Sequence, residues 1–224
     1  ALSCLLLGVV LKGSINLARA SAAVPGRAQT GSKERRSQRL LANQRLQVGR
    51  AQRRLIERVL ASCHGRIHLL LDATTTGVTR SQPGTMTLIL ALAWHHRALP
   101  LWWKSWPTYE RGQNWREAIA EMMELVTELL PADAAVVLLA DRQFPGRPIL
   151  GRLEAAGWHY LMRVRRTFHV RFPDDAVCAV GDLAPTKGSQ QFLNGVRVCD
   201  RPTNVVALWP KQSKEPWLLI TDLP

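Results

Sequence analysis

Apolar and polar positions along the chain fall into three regimes. Up to about Cys63 the apolar residues recur at helical spacing. Leu5, Leu6, Val9, Val10, Ile15 and Leu17 predict a helix over residues 2–22, with Gly13 as its weak point, and Val24-Pro25-Gly26 breaks the chain after it. A second helix is predicted from Ser32 through Lys33–Leu41. A third runs from after Asn43 to about Cys63, with Leu46, Val48, Leu55, Ile56, Val59 and Leu60 apolar. From residue 67 the pattern shortens to strand length. Ile67–Asp72 and Val136–Asp141 are near-continuous apolar runs that each end in an acid, as strands covered on both faces would. Between them, Thr74–Gly77 reads as a turn, and Thr85–His95 alternates as a second strand. A turn at His96-Arg97 leads to a third strand over Ala98–Trp103, and residues 104–113 read as a polar connection. Asn114 then caps an amphipathic helix with Ile119, Met122, Met123, Val126, Leu129 and Leu130 on one face. Glu117, Glu121, Glu124 and Glu128 occupy the other, and Pro131 ends it.

A short helix over Pro148–Ala156, closed by Gly157, and a strand over Trp158–Val164 complete the order β-β-β-α-β-α-β. That order predicts an α/β fold with a ribonuclease-H-like core over residues 67–166. In the third regime Phe168-Val170-Phe172, Val196-Val198 and Val205–Leu208 are short strands separated by turn residues. They predict a β-rich insertion over 167–216, with Trp217–Ile220 beginning a return to the core over 217–224. Residues 1–66 form a helical N-terminal region.

Charge sharpens this division. The 224 residues carry a formal charge of +13. Residues 1–66 hold 13 Lys and Arg against two acids, a net +11, whereas the remainder is nearly balanced at +2. A basic block of this kind attracts polyanions, nucleic acid first and an anionic membrane surface second. Short arginine-bearing helices suit a compact DNA-binding unit, the plainer reading being a solvated charged face. The four cysteines are scattered without ligand spacing, which fits a thiol-reduced cytoplasmic protein. The Leu5–Leu11 stretch is too short to span a bilayer.

The chemistry suggested by the two acids is metal-ion catalysis. Asp72 and Asp141, each at the end of an apolar strand, could share hard divalent cations, which take oxygen ligands and need only one or two protein carboxylates. A metal pair about 3.5–4 Å apart activates one oxygen and stabilises another in phosphodiester chemistry. Spacing alone is weak support, since an Asp after a strand more often serves a turn or a helix cap. His95-His96 lacks a partner at ligand spacing and reads as a turn. Trp102, Trp103 and Trp106 read as packing between sheet and helix in preference to stacking on bases, and Ser81, Ser105 and Cys63 lack the partners of a nucleophile.

In context the two acids are more specific. Asp72-Ala73-Thr74 and Ala140-Asp141-Arg142-Gln143-Phe144 resemble the first two signatures of DDE-type insertion-sequence transposases, the insertion-sequence-four group most closely. Leu99-Pro100-Leu101, Gly157–Arg165, Trp217–Leu223 and the basic Lys33–Leu41 helix extend the resemblance over nearly the whole chain. It implies a bacterial enzyme, cytoplasmic and nucleoid-associated, that cleaves DNA at element ends and transfers the strands. Asp72 and Asp141 would be catalytic and would ligate two Mg²⁺ or Mn²⁺. The basic helices themselves put forward Arg35, Arg36, Arg39, Arg45, Arg53 and Arg54 as DNA contacts, while Arg163 and Arg165, leaving a core strand beside the acids, suit phosphate contact and plain surface solvation equally. The partners implied are terminal repeats, target DNA and a second copy of the chain in a homodimer, with no membrane. The family's third acid belongs to a Tyr-x₂-Arg-x₃-Glu-x₆-Lys motif that this sequence lacks. Tyr160 and Arg163 keep step, but Thr167 and Asp174 stand at the Glu and Lys positions, and Tyr109 begins no such motif. The resemblance therefore implies a fragment lacking that ligand, for which Asp174, Asp175 or Glu154 are in-chain candidates. A DNA-binding remnant or inhibitor without catalysis is the alternative. A host ribonuclease-H-like nuclease ranks third, because it leaves the basic N-terminal region unexplained.

Overall fold

The computed structural model describes residues 7, 9, 11–12, 16–43, 45, 47–77, 84–108 and 111–224, those at 111–114 by backbone only. Cys4, Leu5, Leu6, Val10, Gly13, Ile15, Leu46, Ser81, Tyr109 and the side chain of Asn114, all named above, lie outside the described residues. The chain divides into two compact units, 1–51 and 52–224.

In the first unit, helices α1 (Leu17–Ala22) and α2 (Thr30–Leu41) pack as a short pair. Asn16 caps α1 by accepting the Arg19 N–H at 3.1 Å. The pair is pinned where the Ser21 hydroxyl donates to the buried Ser37 hydroxyl at 3.1 Å. Lys33 donates to the Val24 carbonyl at 2.7 Å, tying the connecting turn to α2. Helix α3 (Val48–Leu60) starts in this unit and contributes Gln52–Leu60 to the second. Residues 23–29 are not helical, because Pro25 and Gly26, the latter at φ +119°, interrupt the pattern.

The second unit is built on one mixed sheet. Its strands are β1 (Arg66–Thr76), β2 (Thr85–Trp94), β3 (Arg97–Pro107), β4 (Ala135–Ala140), β5 (His159–Arg163), β6 (His169–Arg171), β7 (Val177–Ala179), β8 (Gln190–Val198), β9 (Arg201–Leu208) and β10 (Trp217–Thr221). Helix α4 (Arg111–Leu129) joins β3 to β4, and α5 (Arg147–Ala155) joins β4 to β5. The spatial order is β3-β2-β1-β4-β5-β10-β9-β8-β6-β7, a single ten-stranded sheet. This overturns the expected fold class: a ribonuclease-H-like core of five strands carrying a separate β-rich insertion is not what forms. The cause is β10, which pairs antiparallel with β5 on one side and with β9 on the other. Strands β6–β9 thereby continue the same sheet. The Thr221 hydroxyl secures the join by donating to the Tyr160 carbonyl at 2.6 Å.

One face of this sheet is buried throughout. Leu69, Leu71, Leu88, Leu90, Leu138, Met162 and Ile220 are all at most 2% exposed and form one cluster. Ile56 and Leu60 of α3, Ile119, Met122 and Val126 of α4, and Leu150 and Leu153 of α5 join them. The alternate positions Leu70, Ile89, Leu139, Leu161 and Leu219 are only partly buried, so the central strands are covered on one face where both were expected. Two strands also outrun their predicted ends. Thr74–Thr76 pair with Thr85–Thr87 and extend β1 where a turn was expected, since β-branched threonines suit the pleat. Strand β3 continues to Pro107 through what reads as a polar connection. Gly157 at φ +67° closes α5 as expected.

No helix among the described residues is long and apolar enough to cross a membrane. Cys63, Cys178 and Cys199 are free thiols.

The β2–β3 turn is made by His95 and His96 at φ +43° and +63°, one residue earlier than the sequence suggests. A two-residue loop with both φ positive favours Asn-Gly, and side chains such as histidine are strained there. Replacing the pair by His95→Asn and His96→Gly is expected to stabilise the protein by about 1–2 kcal/mol in urea unfolding. No gain would show that the edge-on Trp94–His95 ring contact, at 4.9 Å, offsets the strain.

Candidate functional site

The parallel pairing of β1 with β4 brings the two acids together. Leu70 pairs with Leu139 and Leu71 with Ala140, so the next residue along each strand is an aspartate, Asp72 and Asp141. Adjacent strands lie about 4.8 Å apart, which is close enough for two carboxylates to share a cation. Both acids are exposed and line the open sheet face. There they border a groove of about 710 Å³ whose floor includes Leu70, Ile89, Leu139, Leu161 and Leu219.

Asp72 is held by its own strand, one carboxylate oxygen accepting the Ala73 N–H at 2.7 Å. Asp141 starts a turn in which its carbonyl accepts the Phe144 N–H at 3.1 Å. Phe144 anchors that turn: it is 1% exposed and stacks on Trp115 of α4 at 5.1 Å, with 17° between the rings. Trp106 meets Trp115 edge-on at 6.3 Å, extending the aromatic anchor to β3. Trp102 and Trp106 are buried as the sequence suggests, whereas Trp103 is 40% exposed.

Basic groups flank the acids. Arg163, the last residue of β5, lines the groove, donates to Glu215 at 2.5 Å and lies over the Trp217 ring at 5.6 Å. Arg142, directly after Asp141, reaches the same Glu215 carboxylate at 3.7 Å. Neither Asp72 nor Asp141 is itself ion-paired among the described residues. Two exposed carboxylates free of cationic partners suit a hard divalent ion that keeps most of its waters. Among the described residues, no group of three or more His, Cys, Asp or Glu is placed to hold a metal. The in-chain candidates for a third ligand are engaged elsewhere: Glu154 with Arg201 at 2.9 Å, Asp175 with Arg171 at 3.5 Å, and Asp174 with the Ala176 N–H at 3.1 Å.

The predicted DNA-contact arginines separate into two groups. Arg35, Arg36 and Arg39 on α2, Arg45 after it, Arg54 on α3 and Arg165 after β5 are exposed and form no ion pair among the described residues. Arg53 and Arg163 are engaged. Arg53 grips both oxygens of Glu128, at 2.5 and 2.9 Å, and also reaches Glu57 at 3.2 Å. The hydrogen bonds from Arg53 hold the Glu128 carboxyl below the usual carboxylate range. Arg53 therefore serves to join α3 to α4. Its distant acid, 75 residues away, could not be read from local sequence. Sequence reasoning also gave no role to Arg142, Glu215 or Trp217. Adjacency to Asp141 was an available signal for Arg142, but none existed for Glu215.

Phe144→Ala is expected to cost about 3–5 kcal/mol of folding stability in denaturant titration, because it empties a fully buried aromatic site. A loss below about 1 kcal/mol, within the range of ordinary surface changes, would refute this anchoring of the Asp141 turn. In comparison with known proteins, no family model matches the chain, and no curated protein matches it significantly.

Proposed function

We propose that this chain carries the DNA-processing site of a bacterial insertion-sequence transposase, acting on phosphodiester bonds at element ends. The observation that supports the reading best is the β1–β4 register, which sets Asp72 beside Asp141 in one groove with Arg163 on its wall. Asp72 and Asp141 would hold Mg²⁺ or Mn²⁺. When bound, such ions activate an attacking water or DNA 3′-oxygen and stabilise the leaving oxygen. Asp72 would be oriented by its strand, and Asp141 by the Phe144 anchor. Arg163 would hold a backbone phosphate against the groove. The unpaired arginines Arg35, Arg36, Arg39 and Arg45 would supply affinity for the duplex through its phosphates, largely independent of sequence. A homodimer assembled on two element ends belongs to the same reading.

A second reading is DNA binding without catalysis. It is favoured by the groove's carboxylate inventory, since Asp72 and Asp141 are the only acids lining it among the described residues.

Calorimetry with Mn²⁺ separates the two. Binding by the native chain that disappears in Asp72→Asn/Asp141→Asn, with metal-free DNA binding retained, is the expected result. Equal weak binding by both proteins would leave the non-catalytic reading. Changing Arg35, Arg36 and Arg39 together to Gln is expected to weaken DNA binding and flatten its log-salt slope by about 2.7, at 0.9 per phosphate contact. An absence of salt-dependent DNA binding in the native chain would sink both readings.

A further inference from the structure

Beside the acid pair, Arg142 and Arg163 converge on a single carboxylate. They come from different elements, one from the turn that follows Asp141 and one from the end of β5. Glu215 receives both, at 3.7 and 2.5 Å. Among the described residues it is the one carboxylate shared by two arginines, which leaves the trio with a net positive charge. The loop presenting it is built, not slack. The Trp209 indole N–H donates to the Ser213 carbonyl at 3.3 Å, and the Ser213 hydroxyl donates to the Glu215 carbonyl at 2.7 Å.

We propose that Arg142 and Arg163 form a phosphodiester-binding clamp for the strand that enters the groove. Glu215 occupies it as an internal stand-in until DNA displaces the carboxylate. This rests on the DNA reading above and adds to it a binding residue, Arg142, and a competing acid.

Three observations carry the assignment. Guanidinium groups match carboxylate and phosphate oxygens alike, so a carboxylate bridging two arginines marks a place a phosphate fits. Glu215 is 54% and Arg142 49% exposed, and half-exposed pairs of this kind are weak enough to exchange for a polyanion. Arg163 is only 23% exposed and is braced by Trp217, so it stays in position when Glu215 leaves. The clamp adjoins Asp141 through Arg142 itself, which puts a bound phosphate next to the acid pair.

The test is metal-free fluorescence anisotropy of a labelled DNA duplex with the full chain, across a salt series. Glu215→Gln is expected to tighten binding by roughly two- to tenfold and to steepen the log-salt slope by about one. Arg142→Gln added to Glu215→Gln should cancel most of that gain. Glu121→Gln removes an equal charge from an acid paired with Lys104 elsewhere on the sheet unit, and it should give little change. A gain as large for Glu121→Gln as for Glu215→Gln would reduce the effect to net charge and overturn the clamp. So would unchanged binding by Glu215→Gln while the α2 arginines still govern affinity, a result that leaves the DNA reading standing. Absence of DNA binding by every form would overturn both. Calorimetry showing inorganic phosphate bound more tightly by Glu215→Gln, with no gain for the duplex, would assign the pair to a free anion and overturn the phosphodiester proposal.

Discussion

The parallel contact between β1 and β4 is the constraint on which the rest of the sheet unit depends. Leu69 and Leu138 are partners in that ladder, and neither exposes any surface. Their burial against α4 and α5 residues fixes which face of each strand is inward. Because side chains alternate along a strand, fixing Leu69 and Leu71 inward forces Leu70 and Asp72 outward. The same rule acts on Leu138 and Leu139. A slip of one residue in either strand would turn a row of leucines to solvent and an aspartate into the core, at a cost no other contact here could offset. The position of the acid pair is thus a by-product of hydrophobic burial.

The second constraint is β10. By pairing with both β5 and β9 it makes one sheet of what the sequence presents as a core and an insertion. It also delivers the Pro210–Pro216 loop, with Glu215, to the mouth of the groove, and it sets Trp217 beneath Arg163. The groove's chemistry is therefore assembled from four places in the chain: β1, the β4–α5 turn, β5 and the β9–β10 loop. Its floor is apolar and its charge lies on the rim. Under the proposed function, such a floor would exclude water from beneath a bound strand and leave the rim groups to meet phosphates.

What could be read from the sequence was whatever short-range periodicity encodes. The apolar runs ending in Asp72 and Asp141, the amphipathic α4 and the Gly157 stop are local patterns, and each was legible. The threonine run after Asp72 was misread because Thr serves turns and strands alike, and only its pairing with Thr85–Thr87 decides between them. The continuity of the sheet depends on β10 choosing two partners at once, a choice no single segment records. Arg53 shows the same limit among charges: its sequence neighbourhood is an arginine-rich helix, but its partner Glu128 lies on α4. Glu215 had no local signal at all, since one glutamate between Lys214 and Pro216 is ordinary loop composition.

The distribution of paired charge carries the last step. In the sheet unit most described acids are matched: Glu121 by Lys104, Glu154 by Arg201, Asp200 by Arg147, and Glu215 by two arginines. Asp72 and Asp141 are exposed and form no ion pair among the described residues, as is true of Glu117, Glu124, Asp174 and Asp182; what distinguishes the two is that the β1–β4 register sets them side by side. In the helical unit the imbalance is reversed, because Glu34 is its one acid against nine Lys and Arg. Under the proposed function, the acid pair would accept a cation and the arginines of α2 a polyanion. The acid pair and the arginines of α2 are of opposite sign and lie in different units. Under the proposed function, divalent ions would meet the acid pair and a phosphate backbone the arginines.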